Sequence, residues 1–283
     1  MLPDGTTVVD FHIHVGRRKF WNPKLIEIFR GMNPAFVESM DDIMTPENLV
    51  PFLKSEGIDY AVCIADHSDV TGYVPNDFLL EFCRGHEELI PFCSVNPHSP
   101  DITRYMMRYL RENHIGGFKF FPTYQYFYPN ERKLYPFYDL LQSEGKVVMF
   151  HTGTSNAKGT KTLYGDPLFV EEVAVDFPQL KVVMAHSGRP FWYEKAFYLS
   201  RIHENLYMDI TGIPPQDLLK IFPKLETNID KVLFGTDFPA QPKPLHKVIE
   251  TIRNLPLAPG SVSKILSGNA MRLLGLRNGA TGK

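Results

Sequence analysis

The stretch VVDFHIHV, residues 8–15, decides how the rest of this chain is interpreted. Its apolar and β-branched residues predict a buried strand. Residues two apart on a strand point to the same face, so Asp10, His12 and His14 share one side, whereas on a helix the same spacing would separate the imidazoles. Two neutral imidazoles at the end of one strand can chelate a divalent ion. The alternative is a pair of buried histidines that bond to backbone carbonyls.

Length and composition narrow the class of protein. The chain has 283 residues, of which 43% are hydrophobic and 22% charged, as in ordinary globular proteins. A formal net charge of −2 and the lack of a basic run argue against a nucleic-acid partner. No apolar stretch approaches the ~18 residues of a membrane span, and there is no signal-peptide pattern. Three cysteines, an odd number, suit free thiols. We therefore expect a cytoplasmic protein with a small-molecule substrate, no membrane partner and possible homodimerisation.

Apolar strand-like runs alternate with helical patterns along the whole chain. Eight strands are predicted, over 8–15, 59–65, 89–95, 117–121, 146–150, 181–185, 205–210 and 231–234. Units of about 30 residues predict parallel pairing through right-handed crossovers, and eight strands close a TIM (β/α)8 barrel. A doubly wound open sheet is the alternative, but it would have a glycine-rich turn after the first strand, where histidines stand here. We predict an α/β fold with a single domain over 1–283.

Two segments fall outside the repeating pattern. Residues 17–45 after the first strand are irregular and rich in aromatic and basic residues, which predicts a lid or a substrate wall. An insertion that only covers the barrel mouth is the alternative. Residues 263–276 predict a final amphipathic helix packed outside the barrel.

Polar residues stand where several apolar strands end. The fifth strand ends at His151, the sixth at His186, and Asp237 follows the eighth. The carboxyl ends of barrel strands form one rim, where the active sites of TIM barrels lie. Four histidines and an aspartate are therefore expected at the same rim.

The order of these motifs resembles the amidohydrolase superfamily, and within it the amidohydrolase-2 branch that includes aminocarboxymuconate-semialdehyde decarboxylase. The resemblance rests on DFHIH at 10–14, GFK at 117–119, HTG at 151–153, HSG at 186–188, GTDFP at 235–239 and GNAMRLL at 268–274. It implies that one divalent metal, zinc or manganese, is bound by four ligands: His12, His14, His151 and Asp237. His186 would transfer protons or serve as a further ligand.

Elementary chemistry agrees with this division of roles. Three imidazoles and a carboxylate leave a position open for water or substrate, and a bound metal lowers the pKa of water towards ~7. Asp237 can take that proton, and His186 can polarise the substrate or protonate a leaving group. Asp10 would lie one layer deeper and orient an imidazole.

Four further residues are candidate substrate contacts: Lys119, Arg189, Tyr124 and His67. Lys119 has three interpretations, namely a carboxylated lysine that bridges two metals, an ammonium that faces an anionic substrate, and a structural lysine that reaches the surface. Strand alternation places Lys119 on the face opposite Phe118 and Phe120, inside the barrel. His67 follows the second strand and either lines the pocket or lies at the rim.

Two reactions fit this set of residues. We rank first a hydrolysis in which metal-activated water attacks a small carboxylate-bearing ester, lactone or amide. The alternative is nonoxidative decarboxylation of an aromatic or unsaturated acid. It ranks second because the sequence places no arginine with certainty against an aromatic acid. A barrel that only binds a ligand is less favoured, since the candidate ligands are all present.

Overall fold

Eight parallel strands form the frame of the molecule in a computed structural model that describes residues 6–111, 114–258 and 260–276. Each strand pairs with the next along the chain. Their bounds are Val9–His14 (β1), Tyr60–Ile64 (β2), Leu89–Ser94 (β3), Gly117–Phe120 (β4), Val147–His151 (β5), Lys181–Ala185 (β6), Leu206–Asp209 (β7) and Val232–Leu233 (β8). The predicted TIM barrel is confirmed, and every predicted strand is present.

The seam between the first and last strands is bridged by backbone hydrogen bonds. The amide of Phe11 donates to the carbonyl of Phe234 over 2.8 Å, and the amide of His14 donates to Phe238 over 2.7 Å. The amide of Asp237 in turn donates to the carbonyl of His12 over 2.9 Å. Residues on both sides of the candidate site therefore take part in closing the barrel.

Helices connect the strands on the outside. Four helices follow β1 and one or two follow each later strand: Pro23–Met32 (α1), Pro34–Glu38 (α2), Met40–Ile43 (α3), Pro46–Ser55 (α4), Asn76–Cys83 (α5), Ile102–Leu110 (α6), Pro122–Gln125 (α7), Tyr135–Ser143 (α8), Pro167–Asp176 (α9), Tyr193–Ile202 (α10), Leu218–Ile221 (α11) and Leu245–Arg253 (α12). The described chain ends with Ser261–Ser263 (α13), a π-helical turn at Lys264–Gly268 and Asn269–Leu274 (α14). None of the described helices is long and apolar enough to span a membrane.

Strand alternation divides the core into two apolar layers. Phe118 and Phe120 face the helices, where the ring of Phe118 lies 5.1 Å from that of Phe137. The inner layer contains Phe11 and Phe92, whose rings meet edge to face at 5.7 Å. Burial of both layers supplies the hydrophobic stabilisation of the barrel without any contribution from a ligand.

The end of the chain contributes to the inner layer. Ala270, Met271 and Leu273 of α14 belong to the inner apolar cluster, and Lys181 Nζ at the start of β6 donates to the carbonyl of Leu273 over 2.9 Å. The segment predicted as a helix over 263–276 contains the end of α13, the π-helical turn and α14. Because the strand interiors are apolar at their amino ends, the helix is buried against them.

The insertion after β1 is helical rather than irregular. Asn22 and Asn33 cap α1 and α2, and each is followed by a proline at the first helical position. These Asn-Pro pairs are helix-start signals that the sequence analysis did not use. Whether the insertion acts as a lid remains a prediction.

Candidate metal centre

Each of the four predicted histidines has one ring nitrogen bonded to an oxygen acceptor. His12 Nδ1 lies 2.7 Å from Asp209 Oδ2, and His14 Nδ1 lies 2.8 Å from Asp66 Oδ2. The other two bond backbone carbonyls: His186 Nδ1 lies 3.1 Å from the Thr211 oxygen, and His151 Nε2 lies 3.2 Å from the Thr154 oxygen. Since carboxylates and carbonyls only accept, the bonded nitrogen carries the proton. In His12, His151 and His186 the other nitrogen therefore keeps its lone pair for a ligand, whereas Nε2 of His14 lies 3.2 Å from Asp237 Oδ1.

The electrostatic surroundings keep three of these rings neutral. Burial, together with the nearby cations Lys119 and Arg189, lowers the pKa of His12, His151 and His186 well below 6.5. Neutral imidazole is the form that binds metals. Burial also lowers the pKa of His14, but the Asp66 and Asp237 carboxylates outweigh it and raise the value to about 9.

Asp237 brings a carboxylate to the histidines. One ligand atom each from His12, His186 and Asp237 lies within 4.8 Å of the others, a spacing that suits a common ion. His14 Nε2 lies 3.2 Å and His12 Nε2 3.6 Å from Asp237 Oδ1. Burial opposes ionisation of Asp237, but the hydrogen bond and the charge of His14, together with Arg189, outweigh it and lower its pKa to about 2. The carboxylate is therefore ionised at neutral pH.

The backbone is strained at two of these positions. His186 has a φ of 63° and Asp237 a φ of 65°, in the left-handed region that non-glycine residues rarely adopt. Such conformations cost on the order of 1–3 kcal/mol and persist where function requires them. Both strained residues belong to the group whose ligand atoms lie within 4.8 Å of one another.

Two carboxylates behind the ring nitrogens were missed by the sequence analysis. Asp209 and Asp66 orient His12 and His14, and Asp209 also accepts bonds from the amide and hydroxyl of Thr211. Asp66 directly follows the predicted second strand, and Asp209 lies at the end of the seventh. The rule that polar residues stand at strand ends would have found both, had it been applied to those two strands.

Asp10 takes a different role from the one predicted. Its carboxylate accepts from the amides of His12 and Thr236, over 3.1 and 3.0 Å, and from the Thr236 hydroxyl over 2.6 Å. The prediction that Asp10 orients an imidazole was wrong, because Asp209 and Asp66 hold the rings. Asp10 instead ties β1 to the loop after β8. Burial raises its pKa to about 7 although the three donors oppose this.

Lys119 lies inside the barrel, on the side predicted by strand alternation. It is fully buried, and its Nζ lies 3.5 Å from His12 Nε2 and 3.3 Å from Met149 Sδ. The interpretation as a lysine that reaches the surface was therefore wrong. Burial lowers the pKa of Lys119 to about 8, against the pull of Asp209 and Asp237.

A cavity of about 370 Å³ opens over this group, a volume that suits a small molecule. His12, His14, His151, His186, Asp237, Lys119, Arg189 and Tyr124 all line it. The Tyr124 ring meets His151 edge to face at 4.9 Å. His67 does not line the cavity, because it belongs to a small hairpin in which its ring packs on Tyr73 at 4.9 Å. The structure therefore does not place His67 where a substrate contact was expected.

The position of the Arg189 side chain depends on Gly212. Its Nη1 donates to the carbonyl of Gly212 over 3.3 Å, and a Cβ at Gly212 would lie 1.7 Å from the same nitrogen. Gly212 also has a φ of +72°, which disfavours other residues. Only glycine leaves room for the guanidinium in this position.

The fold and the site together define a TIM-barrel enzyme with a histidine and aspartate centre suited to a divalent metal. The family model for amidohydrolases, Amidohydro_2, matches residues 9–276. The chain therefore belongs to the Amidohydro_2 family of amidohydrolases, as the motif order predicted. No curated protein sequence matches it significantly.

Solved structures show the same fold at low sequence identity. An uncharacterised TIM-barrel protein from Bordetella bronchiseptica superposes with a TM-score of 0.79 at 24% identity, over 95% of this chain and 99% of that one. A 5-carboxyvanillate decarboxylase from Sphingomonas paucimobilis gives 0.70 at 14%, over 96% and 100%. A dihydroxybenzoic acid decarboxylase from Polaromonas, solved with manganese and the inhibitor 2-nitroresorcinol, gives 0.73 at 16%, over 96% and 98%.

Proposed function

We propose that this enzyme is a metal-dependent, nonoxidative decarboxylase of an aromatic or unsaturated carboxylic acid. The observation that carries the proposal is that two cations, Lys119 and Arg189, line the same cavity as the histidines and Asp237. Cationic side chains in a closed site favour a carboxylate-bearing ligand. The decarboxylases named among the similar structures support this choice of reaction.

The residues present fit a divalent ion. His12, His14, His151 and Asp237 would hold it, as the motif order predicts. The ligand atoms of His12, Asp237 and His186 lie within 4.8 Å of one another, and His14 and His151 line the same cavity. When bound, zinc or manganese supplies positive charge to the carboxylate of the substrate and to a neighbouring oxygen. Manganese in a similar structure makes it the first metal to test.

The side chains of this chain then divide the remaining work. Lys119 and Arg189 bind the negative charge of the acid and orient it. The bond to the carboxylate carbon breaks, carbon dioxide leaves, and the electron pair stays on the substrate carbon, which takes a proton. Asp237 is ionised and His186 is neutral, so both start as acceptors. One of them takes a proton from a substrate hydroxyl or from solvent and delivers it to that carbon.

Hydrolysis, which the sequence analysis ranks first, is the second candidate. It ranked higher only because no arginine could be placed against an acid, and Arg189 now lines the cavity. Asp237 and His186 are equally able to take a proton from an attacking water. Only the choice of substrate therefore distinguishes decarboxylation from hydrolysis.

A substrate panel tests the proposal. Manganese-loaded protein is incubated with hydroxybenzoates and carboxyvanillate on one side and with esters, lactones and amides on the other. We expect trapped carbon dioxide from at least one acid, and its loss in the His12→Ala variant. Hydrolysis of an ester, lactone or amide without release of carbon dioxide would reverse the ranking.

A further inference from the structure

One wall of the cavity is apolar and has no role in the proposed decarboxylation. Four side chains of α1 line the cavity: Leu25, Ile28, Phe29 and Met32. Their spacing of three, four and seven residues places them on one face of the helix. Glu27 and Arg30 between them are exposed and pair with each other. Helix α1 therefore presents a hydrocarbon face to the cavity and a charged face to solvent.

Two of these four side chains lie outside the apolar clusters that form the protein core. Phe29 is buried in the outer apolar cluster and Leu25 packs against it, whereas Ile28 and Met32 belong to neither cluster of the described residues. Both remain half-buried. Their hydrocarbon surface would leave water only when a molecule in the cavity covers it, and such burial is favourable.

Further apolar residues line the same cavity from the loop after β7. Ile213, Pro214 and Pro215 contribute there. Lys243, from the loop after β8, also lines the cavity, and its Nζ donates to Gln216 Oε1 over 3.3 Å. Of the charged lining residues, Lys119 and Asp237 belong to the strand ends at the metal-binding group, and Arg189 bonds the carbonyl of Gly212 beside Ile213.

Helix α1 is anchored to the rim at its N-terminal end, and the next helix, α2, packs on the rim as well. The amide of Asn22 donates to the carbonyl of Thr71 over 2.8 Å, and its side chain donates to the Asp69 carbonyl over 3.2 Å. Beyond the helix, the ring of Phe36 packs on Phe238, next to Asp237, at 5.1 Å. The apolar wall is thus held in a fixed position relative to the charged strand ends.

We propose that this wall, Leu25, Ile28, Phe29 and Met32, is a specificity subsite for an uncharged hydrocarbon substituent of the substrate acid, on the end away from the carboxylate. The inference rests on the proposed function, since it assumes that the carboxylate occupies the cationic end. It narrows the substrate class to aromatic or unsaturated acids that carry an alkyl or aryl substituent.

Binding of a homologous series tests the subsite without turnover. Calorimetry on manganese-loaded protein measures Kd for benzoate and its 4-methyl, 4-ethyl, 4-propyl and 4-butyl derivatives. We expect affinity to rise about fourfold for each methylene until the wall is covered, the gain for a fully buried methylene. In the Ile28→Ser/Met32→Ser double variant the gain should fall below about twofold, while benzoate itself binds as before.

Two controls make the result specific. Ile202→Ser replaces a half-exposed isoleucine on α10 that does not line the cavity and should leave the series unchanged. Ile28→Leu/Met32→Leu keeps the hydrocarbon surface and should restore the gain per methylene. An unchanged melting temperature shows that the serine variant is folded.

The outcomes separate this inference from the proposed function. A flat series in the wild type, an equal gain in the serine variant, or no binding by any member overturns the subsite. A rising series that the serine variant loses supports it, even if no acid in the panel releases carbon dioxide. In that case the proposed reaction fails and the subsite stands.

Discussion

At the scale of single residues, the site depends on pairs in which one ring nitrogen bonds a carboxylate and the other faces Asp237. His12 with Asp209 and His14 with Asp66 are the charged examples. A carboxylate in this position fixes the tautomer and the ring orientation of a metal ligand. The ligand set alone therefore does not determine how well the centre holds an ion.

Replacement of Asp209 tests this dependence. Asp209→Asn should weaken manganese affinity about 10- to 100-fold, because His12 loses the carboxylate that orients it. Competition with a fluorescent chelator measures the affinity. Asp77→Asn removes a carboxylate that is 69% exposed and does not line the cavity, and should bind metal as the wild type does. Equal affinity in all three proteins would contradict the role of Asp209.

Replacement of Lys119 distinguishes two roles for this residue, an ammonium that binds the substrate carboxylate and a carboxylated lysine that bridges two metals. Lys119→Met should raise KM for carboxylate substrates roughly tenfold or more, the loss expected for a hydrogen bond to a charged group, with metal content unchanged. Neutral substrates should change less than about twofold. If Lys119 is instead carboxylated, the variant loses a second metal and bicarbonate activates the wild type. Steady-state kinetics and elemental analysis separate the two.

Asp10 should make the stability of the protein depend on pH. Burial raises its folded pKa to about 7, above the usual 3.8, so the folded state retains a proton that the unfolded state releases. Its contribution to the free energy of unfolding is therefore present at low pH and is lost as pH rises through about 7. Asn at this position has no charge to bury. Relative to wild type, Asp10→Asn should gain stability between pH 4.5 and 7.5.

Urea unfolding of chelated protein at both pH values measures this difference without a contribution from metal binding. Asp77→Asn serves again as the exposed control. A difference between Asp10→Asn and wild type that is the same at both pH values would mean that Asp10 is ionised in the folded state.

The sequence was sufficient to locate the ligands at strand ends but not the contacts between distant residues. His151, His186 and Asp237 could be placed at one rim because strand ends in a parallel barrel meet there. Which oxygen accepts from each ring depends on how strands far apart in sequence lie beside one another. That is why Asp10 was assigned to a ring, and why the partner of each ring could not be identified even though Asp66 and Asp209 stand at strand ends.

At the scale of elements, the helices of the insertion after β1 can be predicted from local sequence signals, but their orientation cannot. Its length predicted a functional segment, and its Asn-Pro pairs mark two helix starts. The face that α1 turns to the cavity could not be predicted, because that depends on its anchoring to the hairpin at 67–73 and on the packing of α2 against Phe238.

The cap at Asn22 tests that anchoring. Asn22→Ala removes both the cap and the bond to the Asp69 carbonyl, and should cost about 1 kcal/mol of stability. Asp101→Ala removes the cap of α6, whose Oδ1 accepts from the Arg104 amide, and should cost about as much. Only Asn22→Ala should also weaken binding of 4-butylbenzoate. Thermal unfolding and calorimetry provide the two readouts, and equal binding by both variants would show that the cap does not position α1.

At the scale of the whole molecule, the two apolar layers predict that the fold survives loss of the metal. Chelation should abolish activity and leave far-UV circular dichroism unchanged. The melting temperature should fall only by the amount that corresponds to the lost free energy of metal binding. This differs from small zinc domains, which unfold without their ion. A loss of circular dichroism on chelation, reversed by manganese, would show that the barrel depends on the centre.

The barrel seam has a consequence for synthesis of the protein. Asp10 and Thr236 bond each other across the seam although 226 positions separate them in the chain. At ribosomal speeds of roughly 5–20 residues per second, the first strand waits on the order of 10–50 s for this partner. Throughout that interval its apolar residues have no native neighbour on one side. Translation rate and chaperone supply should therefore govern the yield of soluble enzyme, and a slowed ribosome would lengthen the time in which aggregation competes with closure.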